Sequence, residues 1–537
     1  MKSFKISIIF SLAVLIIMSG CSKQFTDYSQ NTNLPVNVPP SLALRAALNG
    51  LVVFPGGYED KACQFIASNY TYYGDNKYWT GSAAIDYTNS SSNSGTVGYL
   101  NTVLAMEQEA IVSTGTNRNP YHALGYFFRA FFFVDMSEKV GDLPLNDALQ
   151  GVNNPAPKYD SQKDIFKQSL LWLDSANTLL ADLIANGFLE FSGDFYYRES
   201  QDYNDANGRL ALIEWQKAVN SYKLRVLIEL SKKAITDADL NIPQQFAAIV
   251  NDPIKYPIFA SNLDNLQYVY NSSYNYYPDN PGNYGNNAGR LNLGSTLEST
   301  LAQLNDLRAM VLGEPSRGLG FPDTSYKSFA GAPLGADLST LATLSGAGQI
   351  SLYNYNHFYS SYTAEPTMIV SYPEVCFCIA EGINRGWATG SASTWYNNGI
   401  TAAFDFYGIN DGANQVYFRN AGGTATIPNS KYFSFSNYLA QPAVIYAGDN
   451  PAGLNQILTQ KYLAYARNSG LQAYYQWRRT GVPTFDVGPG TGNGNVIPLR
   501  FQYPTNELTS NATNYQDALT AQYGGTDDIN AQMWLIK

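Results

Sequence analysis

The sequence predicts an all-α fold, on three observations. Apolar residues recur three and four apart almost throughout, clean two-residue alternation is rare, and the helical stripes fall in neighbouring pairs. Ser41 is placed to cap a first helix with the stripe Leu44, Leu48 and Leu51. Leu100, Val103, Leu104 and Ile111 make a second stripe. Pro120 opens a third helix, with Leu124, Phe127, Phe128, Phe131 and Val134 on one face and Gly141 as its stop. Phe166, Leu170, Leu173, Leu180 and Ile184 mark the next, and Trp215, Val219, Tyr222 and Val226 another. Further stripes are Leu297/Leu301/Leu304, Val375/Ile379/Ile383, Tyr396/Ile400/Ala403/Tyr407 and Leu454/Ile457/Tyr465. The pairing of 120–139 with 161–185 is of the tetratricopeptide kind, although that consensus does not recur at a fixed period. The stretches 264–294, 310–365 and 408–450, rich in Asn, Tyr, Gly and Pro, read as long loops too aromatic to be linkers.

The first residues stand apart from this pattern. Lys2 and Lys5 form a positive start, and Ile6 to Met18 is an apolar run of 13 residues. That is too short to span a bilayer and right for a signal peptide over residues 1–20. Met18-Ser19-Gly20-Cys21 resembles the lipobox of bacterial lipoproteins, with Met18 where Leu is usual. Cys21 is then the lipidation site, and the polar stretch 21–40 a tether. A lipid anchor attaches a protein to a membrane without spanning it.

Charge and composition narrow the ligand. Charged residues are only 14% of the chain, and the net charge is −10. Without Lys2 and Lys5, 31 basic residues face 43 acidic ones, a net charge of −12. With no Lys/Arg-rich block, nucleic acid and electrostatic adhesion to anionic lipid are both disfavoured. The 41 tyrosines and many asparagines suit hydrogen bonding and ring contacts instead. Cys63, Cys376 and Cys378 remain after Cys21. Neighbours two apart on a helix point away from each other, so Cys376 and Cys378 read as small buried hydrophobes.

Catalysis has little support. The only histidines are His122 and His357, and neither stands in a metal or triad motif. No nucleophile elbow, zinc-protease helix or phosphate loop is present. A glycosidase carboxylate pair stays open, because such pairs are spatial and 43 acids are available. No cofactor or metal is expected.

The sharper signal is aromatic. Tyr70, Tyr72, Tyr73, Tyr78 and Trp79 crowd one short polar stretch. Tyr274, Tyr276, Tyr277 and Tyr284 recur among Asn275, Asp279 and Asn283. Tyr353, Tyr355, His357, Phe358 and Tyr359 form a third group. A sugar ring offers C–H bonds on its face and hydroxyls round its edge, and tyrosine can answer both at low entropic cost. The candidate ligand residues are Tyr73, Tyr78, Trp79, Tyr274, Tyr276, Tyr277, Tyr284 and Tyr355. The competing reading is that these rings pin the loops to the core or face a partner protein.

Several segments carry a family pattern. They are Tyr126-Phe127-Phe128-Arg129-Ala130 running into Lys139-Val140-Gly141-Asp142-Leu143-Pro144-Leu145, then Trp215-Gln216-Lys217-Ala218-Val219-Asn220-Ser221-Tyr222-Lys223-Leu224-Arg225. Ser371-Tyr372-Pro373-Glu374-Val375 with Ala380-Glu381, Tyr396-Asn397-Asn398-Gly399-Ile400, Gln460-Lys461-Tyr462 and Trp477-Arg478-Arg479-Thr480-Gly481 follow. Pro498-Leu499-Arg500-Phe501-Gln502-Tyr503-Pro504 and Trp534-Leu535-Ile536-Lys537 close the set. In this order the chain resembles the SusD/RagB family of outer-membrane nutrient-binding lipoproteins. Asn305-Asp306-Leu307-Arg308 departs from it, the family usually having Pro after the Asp, which implies a local change in that turn.

The resemblance implies a SusD-like fold of tetratricopeptide-like helix pairs with long ligand-binding loops, as one domain over 41–537. It implies an outer-membrane, lipid-anchored protein facing the cell surface. Its partner would be a TonB-dependent, SusC-like β-barrel transporter. It implies binding rather than catalysis, with oligosaccharide as the leading ligand and peptide as the alternative. A surface glycosidase and a purely structural assembly lipoprotein follow behind. On the family pattern alone, Tyr78 and Trp79 would join Tyr274, Tyr276 and Tyr277 in a shared stacking platform. A Trp477–Gly481 motif shared across differing ligands reads as scaffold rather than as a cationic site.

Overall fold

Helix α1 (Pro40–Leu48) opens on proline instead of the expected serine cap. Pro39 is the cap residue and Pro40 supplies a pre-set φ, so Ser41 lies inside the first turn with no capping bond. The computed structural model describes residues 38–71, 87–88, 95–199 and 207–537. α2 (Thr96–Thr114) buries Leu100, Val103, Met106 and Ala110, turns Leu104 outward, and ends at Gly115 with φ 73°.

The next two helices form the expected pair. In α3 (Pro120–Val140) the Asn119 side chain accepts from the His122 N–H at 2.8 Å, and Pro120 needs no donor partner. α3 stops at Gly141, whose φ of 102° disfavours a side chain. A Cβ there would lie 2.2 Å from the Tyr523 hydroxyl. An antiparallel bridge between Leu143 and Asp160 returns the chain to α4 (Gln162–Asn186), which packs along α3. α5 (Arg209–Glu229) is buried on nearly every side. Phe127 meets Trp215 at 5.5 Å and Tyr222 at 5.7 Å. The indole N–H of Trp215 finds the acceptor that burial demands in Asp194, at 2.9 Å.

α6 (Ser295–Gln303) and α7 (Leu338–Gly346) follow, the latter capped by Asp337 inside a stretch that reads as loop in the sequence. α8 (Tyr372–Asn384) and α9 (Ala392–Phe406), capped by Ser371 and Ser391, make another hairpin. α10 (Pro451–Tyr465) lies against both, and α11 (Gln472–Thr480) follows it. One apolar core joins residues from Ala43 to Ile536.

Short strands set the loops. β1 (Ile66–Ser68), β2 (Leu266–Tyr268), β3 (Leu291–Leu293) and β4 (Thr367–Val370) pair as β1–β3 and β2–β4, both antiparallel. Ser68 stands opposite Leu291, and Tyr268 opposite Thr367. The segment leaving β1 and the segment entering β3 therefore share one end of their sheet. The segment leaving β2 and the one entering β4 do the same. The stretch 408–450 is not a simple loop. β5 (Gly412–Arg419) and β6 (Thr426–Phe433) form a hairpin that buries Val416 and Phe418 on one face.

The arginines of the Trp477–Gly481 motif are buried and hold other elements of the fold. Arg479 grips Glu381 through two nitrogens, at 2.5 and 3.0 Å, with Glu229 at 3.5 Å. Burial works to raise the Glu381 pKa, yet Arg479 and Arg385 together hold it down at about 2. Arg478 donates to the carbonyls of Glu138 and Leu499. At the departing turn Asn305 adopts φ 51°, and the buried Arg308 pairs with Asp306 at 2.7 Å beneath Phe404. Cys63, Cys376 and Cys378 are buried and free.

Candidate ligand-binding face

Two long loops, 269–290 and 351–366, are pinned together from below. Arg467, fully buried, donates to Asp279 at 2.8 Å and lies 4.0 Å from the Tyr353 ring centre and 4.5 Å from that of Phe358. The Tyr359 hydroxyl donates to the other Asp279 oxygen at 3.3 Å, and the Tyr277 N–H to the Tyr362 carbonyl at 2.8 Å. Asp279 fixes the first loop at its middle and Tyr353–Tyr362 forms the bed. Asn354 caps the wide helical turn Tyr355–Tyr359 by accepting from the His357 N–H.

A single carboxylate then aligns two further pieces. Glu314 accepts from the Tyr355 N–H at 3.0 Å and from the Arg419 N–H at 2.9 Å. Burial pushes its pKa up to about 7, against the pull of those two bonds and of Arg317 and Arg419. Tyr284 and Tyr355 meet at 4.6 Å with their planes at 79°. The Arg419 guanidinium lies 4.3 Å from the Tyr355 ring centre and 5.4 Å from that of Tyr284. Both rings are half-buried. Beside β1 and β3, Arg290 lies over Tyr70 at 4.4 Å, and Asn69 donates to the Gly289 carbonyl at 3.1 Å and to Asn292 at 2.8 Å. Such a face can stack on an apolar ring surface and donate charged hydrogen bonds to oxygens at its rim.

The sequence-predicted residues fall in several places. Tyr284 and Tyr355 come together. Tyr274 is 87% exposed at the loop's first turn. Tyr276 is partly exposed, packed on Tyr362 at 4.6 Å. Tyr277 does not serve as a ligand surface: it is wholly buried, edge-on to Tyr270 at 5.1 Å and stacked on Phe358. The polar neighbours are also spent within the fold. Asp279 holds Arg467, and Asn283 donates to the Pro278 carbonyl at 2.6 Å. Tyr73, Tyr78, Trp79 and Cys21 lie outside the described residues.

Arg419 and Glu314 escape a sequence reading, because the hairpin and the buried acid reach the face from distant segments. The alternation of Val416 and Phe418 with Tyr417 and Arg419 is the signal that marks the strand. Among the described residues, no group of three or more His, Cys, Asp or Glu is placed to hold a metal. No helix among them is long and apolar enough to cross a membrane.

A sequence profile of SusD-like proteins, described as starch-binding and associating with the outer membrane, matches residues 57–504. The chain belongs to the SusD-like family. Its description makes the family one of binding proteins associated with the outer membrane. The structure of a SusD homologue from Bacteroides fragilis matches this SusD-like protein at 27% identity with a TM-score of 0.79, over 93% of this chain and 100% of the other. A second Bacteroides fragilis homologue matches at 26% and 0.70, over 93% and 100%. A chitin-binding SusD homologue from Flavobacterium johnsoniae shares the fold at 18% identity and a TM-score of 0.67, over 93% and 98%. No curated protein sequence matches the chain.

Proposed function

We propose that this SusD-like protein captures oligosaccharides at the cell surface and delivers them to a TonB-dependent, SusC-like barrel. The observation that carries the reading is the Tyr284–Tyr355 pair with the Arg419 guanidinium against it, on the loops of a family described as starch-binding. The rings supply stacking area for a pyranose face, and Arg419 supplies donors for edge hydroxyls. Tyr73, Tyr78 and Trp79 are proposed as further ligand residues on the sequence reading alone. In this reading residues 1–20 are removed, Cys21 carries the lipid, and residues 41–537 act as one binding domain.

Calorimetric titration of maltoheptaose, chitohexaose and a tryptic peptide pool tests the ligand class. A chitin oligomer belongs in the set because a relative of this fold is described as chitin-binding. One of the two glycans should bind and the peptides should not. Tyr355→Ala should weaken glycan binding about thirtyfold, as loss of a hot-spot ring costs ~2 kcal/mol. Peptide binding without glycan binding supports the alternative cargo and refutes this reading. Release of new reducing ends would make the protein a glycosidase. A β-rich outer-membrane protein should co-purify after detergent extraction; recovery of the chain alone counts against the barrel.

A further inference from the structure

A groove of about 590 Å³ runs between α1 and the start of the 269–290 loop. That size suits a small-ligand site, for which ~300–1,000 Å³ is usual. Arg45 comes from α1 and Asn49 from its C-terminal cap, Phe195 and Glu199 from the segment after α4, and Tyr268, Asn271 and Tyr274 from β2 and the loop. Sequence reading does not join these parts, which come from three separate stretches of the chain.

The walls are arranged for a polar ring compound. Phe195 and Tyr268 meet edge to face at 5.9 Å. The Arg45 guanidinium lies over the Phe195 ring at 5.8 Å and pairs with Glu199. Both members of that pair are nearly half exposed, so the pair itself adds little to stability. It does present a planar fork of donors beside a carboxylate acceptor, at a wall already backed by an aromatic ring. Across the groove the Asn271 side chain accepts from the N–H groups of Ser273 at 3.0 Å and Tyr274 at 3.1 Å. This tight turn stands Tyr274 at the rim with its ring in solvent. A large exposed ring held by an ordered turn is well suited to stacking.

We propose that this groove is a second carbohydrate subsite, taking a neutral segment of an oligosaccharide. Tyr274 stacks on one pyranose face, the Arg45 guanidinium donates to a hydroxyl, and Glu199 accepts from a neighbouring one. The opposite charges of Arg45 and Glu199 balance, which favours an uncharged sugar over a uronate or sulfated one. The proposal rests on the reading that the Tyr284–Tyr355 face binds glycan. One loop carries Tyr274 near its start and Tyr284 near its end.

Titrations of maltoheptaose and chitohexaose into the parent, Tyr274→Ala, Arg45→Met, Tyr355→Ala and the Tyr274→Ala/Tyr355→Ala double variant test it. Thermal midpoints of the groove variants should match the parent, since both side chains are exposed. The probe that binds should lose at least fivefold in affinity with Tyr274→Ala or Arg45→Met. Weak binding left in Tyr355→Ala should vanish in the double variant. Parental affinity in both groove variants, with binding lost in Tyr355→Ala, overturns the groove and leaves the main face standing. Binding lost in Tyr274→Ala but kept in Tyr355→Ala supports the groove and refutes the main face. If neither probe binds the parent, both fail.

Discussion

Arg467 is the keystone of the ligand face, and removing its charge should be costly in a calculable way. The side chain is fully buried between Tyr353 and Phe358, with Asp279 at 2.8 Å and Asp60 at 3.7 Å. In Arg467→Met the stem volume survives, while two buried carboxyls lose their counter-charge. Burial already pushes the Asp60 pKa up to about 7 even with Arg467 pulling it down. Breaking a buried pair from one side costs about 3–5 kcal/mol. Unfolding entropy of about 2.1 cal/mol/K per residue over roughly 500 residues gives about 1 kcal/mol/K, so the midpoint should fall about 3–5 °C. Glycan binding should weaken with it, because Asp279 then releases the loop that carries Tyr284. Differential scanning calorimetry against Arg118→Met, which breaks the exposed pair with Asp182, supplies the control. That control should shift by less than a degree. Equal, small shifts in both variants would refute the argument.

Tyr277→Ala should lower the midpoint by a similar few degrees, since emptying a buried aromatic site costs about 3–5 kcal/mol, whereas Tyr276→Ala should do far less. Matching melting curves for the two would contradict the burial. Glu314→Gln tests pH linkage. The folded pKa of Glu314, about 7, lies above its ordinary 4.5. The stability it contributes is therefore full below about pH 4.5 and lost as pH rises through about 7. Between about pH 5 and pH 8 the parent should lose more stability than the variant, which cannot ionise; parallel pH curves would speak against it. Cys21→Ala should leave the protein out of the outer-membrane fraction and protected from protease added to whole cells. Unchanged fractionation and surface exposure would remove the anchor from the account.

The helices are legible because their signals are local. Pro120, Asn119 and Gly141 delimit α3 through dihedral preference and one capping bond, and the paired α3 and α4 follow from apolar spacing. The β5–β6 hairpin escapes because its outer face carries Gln, Tyr and Arg in a stretch whose composition looks like loop. The aromatic clusters are visible as composition, but composition does not tell a ring in solvent from one in the core. Tyr276 and Tyr277 are neighbours, yet one stays partly exposed on Tyr362 and the other sinks between Tyr270 and Phe358. Their fates are decided by the Tyr277–Tyr362 backbone bond and the Asp279–Arg467 pair, both long-range. Arg419, Glu314 and Arg45 meet the aromatic loops only through the fold, so no spacing in the chain announces them.

A crystal structure of the lipid-free protein with whichever of maltoheptaose and chitohexaose binds more tightly tests the central claim most directly. The account predicts sugar density stacked on Tyr284 or Tyr355, with a hydroxyl within hydrogen-bonding distance of the Arg419 guanidinium. Density that leaves Tyr284, Tyr355 and Arg419 all untouched would contradict it.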